Sequence, residues 1–285
     1  MNAPNIKTAP AALTSARKLT KRLAFGDVPG LATLAFLFLA FLYLPIFVLV
    51  AFSFNDSNIV MVWTGFSTDW YAKVFANVDI RRATMNSLIV AVSATAIATT
   101  CATLAALALA RGGAFRGKSA TLGIITLPLM VPEIVTAVAM LVFFSNIGLN
   151  LGLGNVIIAH VTFCIPFAFL PIRARLEGMD ISLEQASRDL YASDWATFRL
   201  VTLPLLMPGV LAGAMLSFVI SMDDFIITLM VAGAGDTTLP VYIYSMIRQG
   251  ITPEINAVSS ILLLISITLV TAYWFITSQK PGQNK

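Results

Sequence analysis

The chain has 285 residues, of which 58% are apolar and only 11% charged, with a mean hydropathy of +0.86. A soluble domain carries roughly 45–50% apolar and about 25% charged residues, so a water-soluble fold is excluded, and two cysteines, Cys101 and Cys164, exclude a secreted disulfide scaffold. The net charge of +4 and pI near 9.2 call for no nucleic-acid partner, because membrane topology accounts for them.

In lipid a backbone must satisfy its own hydrogen bonds, and each helical crossing takes about 20 apolar residues. The composition therefore predicts an all-α, polytopic membrane protein. Residues 1–30 read as a tail, and residues 31–54 as the first transmembrane helix. Its apolar run, Val28 to Phe54, is too long for a cleaved signal of about 7–15 residues. Residues 55–82 form an outer loop whose Trp63, Phe66, Trp70, Tyr71 and Phe75 suit a membrane interface. The second span lies between Arg82 and Arg111. Fifteen of the twenty residues from Ala91 to Ala110 are Ala, Ser, Thr or Cys, which predicts a helix packed on several sides by others.

Gly112-Gly113-Ala114-Phe115-Arg116-Gly117-Lys118-Ser119 matches the phosphate-loop pattern G-x-x-x-x-G-K-[ST]. That chemistry needs a strand leading in and a nucleotide domain around it, and neither fits between two spans. It reads as a Gly-rich turn. The third span runs from about Ser119 to Asn146, the fourth from Gly152 to Ile172 with His160, and the fifth from Leu203 to Met230 with Asp223 and Asp224. The sixth lies between Glu254 and Lys280, and residues 279–285 close the chain. Six spans put both termini on one side. With that side cytoplasmic, fourteen of the eighteen basic residues are inside, against Lys73, Arg81, Arg82 and Arg248 outside.

The longest inner segment, 174–203, carries Ser182 and Gln185 at the spacing of a capping box. Leu183, Ala186 and Leu190 share one face there, with Glu184, Arg188 and Asp189 elsewhere. Ser193 or Asp194 can cap a second short helix bearing Trp195 and Phe198. This segment resembles the EAA loop of ABC-importer permeases, E-A-A-x-x-x-G-A followed by L-P. Gln185-Ala186-Ser187 stands for E-A-A, Tyr191-Ala192 for G-A, and Leu203-Pro204 closes the pattern. Tyr191 occupies the place of a glycine suited to a left-handed turn. Leu127 to Glu133, Ala159 to Cys164, Ser221 to Asp224, Ile243 to Met246 and Pro253 to Ala257 are similar to the spermidine/putrescine permeases. Iron, opine and other small-solute permeases share parts of these motifs.

The resemblance implies the ABC type-1 permease fold over 83–278 and half of a path for putrescine or spermidine through a bacterial inner membrane. It implies an ABC ATPase dimer, a second homologous permease, a periplasmic substrate-binding protein and membrane lipid as partners. It implies no cofactor, and no enzymatic role for this chain. Glu184, Gln185, Ala186, Asp189, Tyr191 and Ala192 would couple to the ATPase. A secondary transporter, by contrast, would lack the loop and often show inverted repeats.

Three acids lie in spans despite a cost of about 2.5–3.5 kcal/mol each: Glu133, Asp223 and Asp224. They are the candidate pathway residues for a polycationic amine, against a structural reading in which Glu133 bonds a neighbouring helix and the aspartates cap a short one. His160 and Cys164, four apart on one helix face, have no evident third metal ligand and read as packed polar residues.

Overall fold

The computed structural model describes residues 30–59, 62–113, 115–150, 152–250 and 252–278. Apart from Gly30, the predicted tail 1–30 and the segment 279–285 lie outside the described residues. The chain divides into two units after Ala51. In the first, α1 (Leu31–Phe52) is a 22-residue helix of mean hydropathy 2.7 that takes Pro45 within it. At 1.5 Å per residue it is about 33 Å long, enough to cross a bilayer.

The second unit begins with the outer loop and α2 (Asp69–Ala76). Not all of the loop's aromatics sit at a surface. Trp63, Phe66 and Phe75 are exposed, but Trp70 is buried, donating its indole N–H to Asn55 O at 2.8 Å. It packs with Val74, Ile80, Ala83, Leu239, Ala257 and Val258. The long helix α3 (Val78–Arg111) starts before Arg82, because Asn77 caps it by accepting from the N–H groups of Asp79 (2.9 Å) and Ile80 (3.3 Å). Its 34 residues make it about 51 Å long.

α3 packs with α6 (Leu153–Glu177) and α9 (Leu203–Asp223) as the core of the unit. Ala94, Ala98, Ala102 and Ala106, each four apart, are wholly buried on one stripe of α3, while Val92, Ile97 and Leu104 are exposed. The small-residue helix is thus packed along one stripe, not on several sides. α6 and α9 approach just as closely. A Cβ on Gly213 would lie 2.7 Å from Ala168 O, and one on Gly209 would lie 2.5 Å from Arg175 Cβ. These two glycines form a GxxxG spacing that lets the backbones meet.

Two predicted spans are broken. The third is α4 (Lys118–Thr126), a tight turn at Leu127–Leu129 and α5 (Glu133–Asn146), bent by 104°. Pro128 and Pro132 cause the break, since neither has an N–H to continue a helix. Between α6 and α9 lie α7 (Ser182–Asp189), α8 (Asp194–Thr197) and a widened turn at Phe198–Thr202. The fifth span also stops early: α9 ends at Asp223, and α10 (Ile226–Val231) begins after an extended Asp224 (φ −61°, ψ 129°). α11 (Leu239–Gln249) and α12 (Pro253–Ser278) complete the chain. Among the described residues, four helices are long and apolar enough to cross a membrane, and the bent pair makes five if it is one span; Pro253–Thr268 is a shorter apolar stretch.

Candidate functional site

The two breaks bring the three acids together. Glu133 occupies the first turn of α5, where the positive end of the helix dipole favours a carboxylate. Asp223 ends α9, and Asp224 stands in the gap before α10. All three line one cavity of about 450 Å³, with the rings of Phe163, Phe167 and Phe225. The neighbouring aspartates differ in setting. Asp223 is exposed and also lines a second cavity of about 540 Å³, beside Leu88, Met222, Pro240 and Leu262. Asp224 is 7% exposed, and its Oδ1 accepts from Thr228 N (3.0 Å) and Thr228 Oγ1 (3.1 Å). It therefore caps α10 while its residue still borders the cavity.

His160 completes this arrangement. Its Nε2 lies 3.2 Å from Asp224 Oδ1 and 3.0 Å from Thr228 Oγ1, and its Nδ1 lies 2.8 Å from Ser221 Oγ. The ring is 1% exposed. Both nitrogens are taken by hydrogen bonds to α9, the gap and α10, while Cys164 turns instead toward Ser217 O at 3.6 Å. Sequence reasoning read His160 as a packed polar residue, as it is, and placed Ser221 in the Ser221–Asp224 motif, but named neither as a site residue and missed Thr228. The usable signal was the depth of the only histidine: an ionisable group inside a span is a functional candidate by default, with a partner to be named.

The predicted coupling residues lie on a separate face. Gln185, Ala186, Asp189 and Tyr191 are exposed and Ala192 is half-buried. Glu184 is 8% exposed and turned inward, both carboxylate oxygens within 3.1–3.2 Å of Arg111 Nε at the end of α3. Leu183, Ala186 and Leu190 face outward while the acid is inside. Arg111 gives Glu184 a partner on the inner side.

The cap of α7 also differs from the predicted box. Ser182 is the first helical residue, and Asp180 Oδ1 accepts its N–H at 2.9 Å. That hydrogen bond holds the Asp180 carboxyl below the usual carboxylate range. Ser193 caps α8, its Oγ accepting from Ala196 N at 3.2 Å, and Ser187 Oγ meets Thr197 Oγ1 at 3.0 Å across the pair. Tyr191 has φ +61°, the one non-glycine in the left-handed region among the described residues. The turn thus keeps the shape a glycine would give it, with the ring 97% exposed.

The chain matches the family model described as "Binding-protein-dependent transport system inner membrane component" over residues 98–280. The chain belongs to this family. It is 40% identical over 245 residues to the spermidine/putrescine transport system permease protein PotC of Escherichia coli (strain K12), covering 86% of this chain and 92% of that one. The Haemophilus influenzae PotC is likewise 40% identical, over 85% and 95% of the two chains. The putrescine transport system permease protein PotI of E. coli (strain K12) is 37% identical over 85% and 89%. In structure the permease resembles a bacterial ABC transporter involved in the import of the acidic polysaccharide alginate (TM-score 0.67, 17% identity, 88% of this chain and 95% of that one). It also resembles the inward-facing MetNI methionine ABC transporter (TM-score 0.58, 20% identity, 68% and 93%). The fold is therefore that of the ABC type-1 importer permeases, and the chain is an inner-membrane transport subunit.

Proposed function

We propose that this permease forms half of the path by which an ATP-driven importer carries polyamines such as putrescine and spermidine across the inner membrane. One observation carries the reading. In a chain 40% identical to a spermidine/putrescine permease, two helix breaks gather Glu133, Asp223 and Asp224 with three aromatic rings on one cavity. Separated ammonium groups suit separated carboxylates, and each aromatic face adds about 0.5–2 kcal/mol of cation–π attraction. The path would be completed by a second homologous permease. An ATPase dimer would supply the energy, and a periplasmic binding protein would deliver the amine.

Both termini are cytoplasmic in this reading, which the excess of basic residues on that side supports. The ATPase would seat on the outward apolar face of α7 and α8, where Leu183, Leu190, Tyr191 and Trp195 are exposed. Gln185, Ala186, Asp189 and Ala192 belong to the same docking surface. Glu184 serves it indirectly, by fixing α7 to α3 through Arg111. The test is reconstitution of the four-component complex in vesicles with labelled putrescine, spermidine and an uncharged solute. ATP-dependent uptake of the amines alone is the expected result, and Asp223→Asn lowers it. Uptake of the uncharged solute without the amines would sink the proposal.

A further inference from the structure

His160 is the only side chain among the described residues seen to bond both sides of the break in the fifth span. Ser221, before the break, sits 2.8 Å from Nδ1, while Asp224 and Thr228, after it, sit 3.2 and 3.0 Å from Nε2. An ionised carboxylate only accepts, so Nε2 carries the hydrogen facing Asp224 and Nδ1 accepts from the Ser221 hydroxyl. Thr228 Oγ1 passes its own hydrogen to the same Asp224 oxygen at 3.1 Å. Oδ1 thus accepts from the Thr228 hydroxyl and the Thr228 backbone, with His160 Nε2 3.2 Å away. Oδ2 is buried without a hydrogen-bond partner, in a residue that borders the cavity shared with Glu133 and Asp223. One oxygen is bonded by Thr228, and the carboxylate also meets Glu133 across the cavity.

We infer that His160 is a positioning residue for the acidic pathway, stapling the two sides of the helix break so that Asp224 is drawn inward and Asp223 is held out toward the cavity. The geometry supplies the reason. Asp223 is the last helical residue and Asp224 leaves the helix at φ −61°, ψ 129°, so the two adjacent side chains diverge, one exposed and one buried. Fixing one therefore fixes its neighbour. Without the staple the gap between α9 and α10 is free to rotate, and the carboxylates lose their spacing. The inference rests on the polyamine-pathway reading for its transport readout.

The test uses the reconstituted complex and measures amine imported per ATP hydrolysed. His160→Ala is expected to assemble and hydrolyse ATP as the parent does, yet to import at least about tenfold less labelled putrescine per ATP, since small misplacement of binding groups carries losses of that order. His160→Gln, whose amide nitrogen reaches the place of Nε2, is expected close to the parent. His160→Asn, which reaches only to Nδ1, is expected to behave as the alanine variant does. In an Asp224→Asn background, His160→Ala should add no further loss, because it acts through Asp224. An alanine variant with the parent's ratio, equal Gln and Asn variants, or multiplying losses would each overturn the inference. If the alanine variant does not assemble, the Gln and Asn pair decides.

A parent complex that imports neither putrescine nor spermidine removes the pathway reading instead. The staple is then judged without substrate, by the rate at which a positively charged methanethiosulfonate labels Asp223→Cys in a Cys101→Ser chain. Slower labelling with His160→Asn than with His160→Gln supports the staple, and equal rates overturn it.

Discussion

Glu184 and Asp224 both fasten a short helix to the body of the permease, and they are fastened by different chemistry. Glu184 sits at the rim, where its side chain and that of Arg111 are 11% and 25% exposed and the partner is a permanent cation. Asp224 sits deep, its side chain 2% exposed, and is held by two hydrogen bonds from Thr228, with His160 Nε2 3.2 Å away. At a rim, water still reaches both charges, so the desolvation cost of an ion pair is modest and so is its net strength. Deep in the bundle that cost is several kcal/mol per ion, and a carboxylate persists only where fixed donors replace its hydration. In the proposed function, the rim pair would position a docking helix and the deep network a pathway.

The largest expected effect breaks the deep anchor. Asp224→Ala leaves His160 Nε2, the Thr228 N–H and the Thr228 hydroxyl without their acceptor. The complex should lose on the order of 3 kcal/mol of stability, read as a lowered unfolding midpoint in detergent. A loss well below 1 kcal/mol would mean that α10 is held by something else. At the rim, Arg111→Met should cost about 1 kcal/mol, since Glu184 can turn to water. A double-mutant cycle with Glu184→Gln measures the pair directly, and high salt should weaken it. Co-purification of the ATPase should fall more than stability does, because α7 is released from α3.

A smaller effect of opposite sign is expected at the turn between the coupling helices. Tyr191→Gly relieves a left-handed conformation and removes no packing, so it should stabilise by about 0.5–1 kcal/mol. No gain in the unfolding midpoint would count against that account. The smallest effect concerns the start of α7. The carboxyl of Asp180 titrates below its usual range because Ser182 N–H bonds it. Its contribution is therefore complete above the unfolded value of about 3.9 and is lost as pH falls through the lower folded value. A falling protection factor at Ser182 on acidification, with exchange referred to the unfolded rate at each pH and the fall absent in Asp180→Ala, is the measurement.

Much of the fold was legible along the chain. Apolar runs located the helices, the prolines at 128 and 132 marked the first break, and the loop at 182–204 carried the family. The break at Asp224 was legible only as the structural reading in which the aspartates cap a short helix, since no proline or glycine marks it; the chain there reads Ser221-Met222-Asp223-Asp224-Phe225. Its partner His160 lies some sixty residues earlier, on α6, where no local pattern announces the contact. The ion pair of Glu184 was hidden for a similar reason, as Arg111 is 73 positions away in sequence.

The sequence by itself determined the solvent of this protein, its helical class and its family, since these follow from composition, local periodicity and short motifs that need no distant partner. It also named the three costly acids. Only the tertiary structure decided which acid is free and which is spent. That choice depends on which donors meet each carboxylate, and those donors come from other helices. Exposed Asp223 and buried Asp224 are adjacent in the chain and identical in kind; their difference is made by a histidine that only folding brings within 3.2 Å.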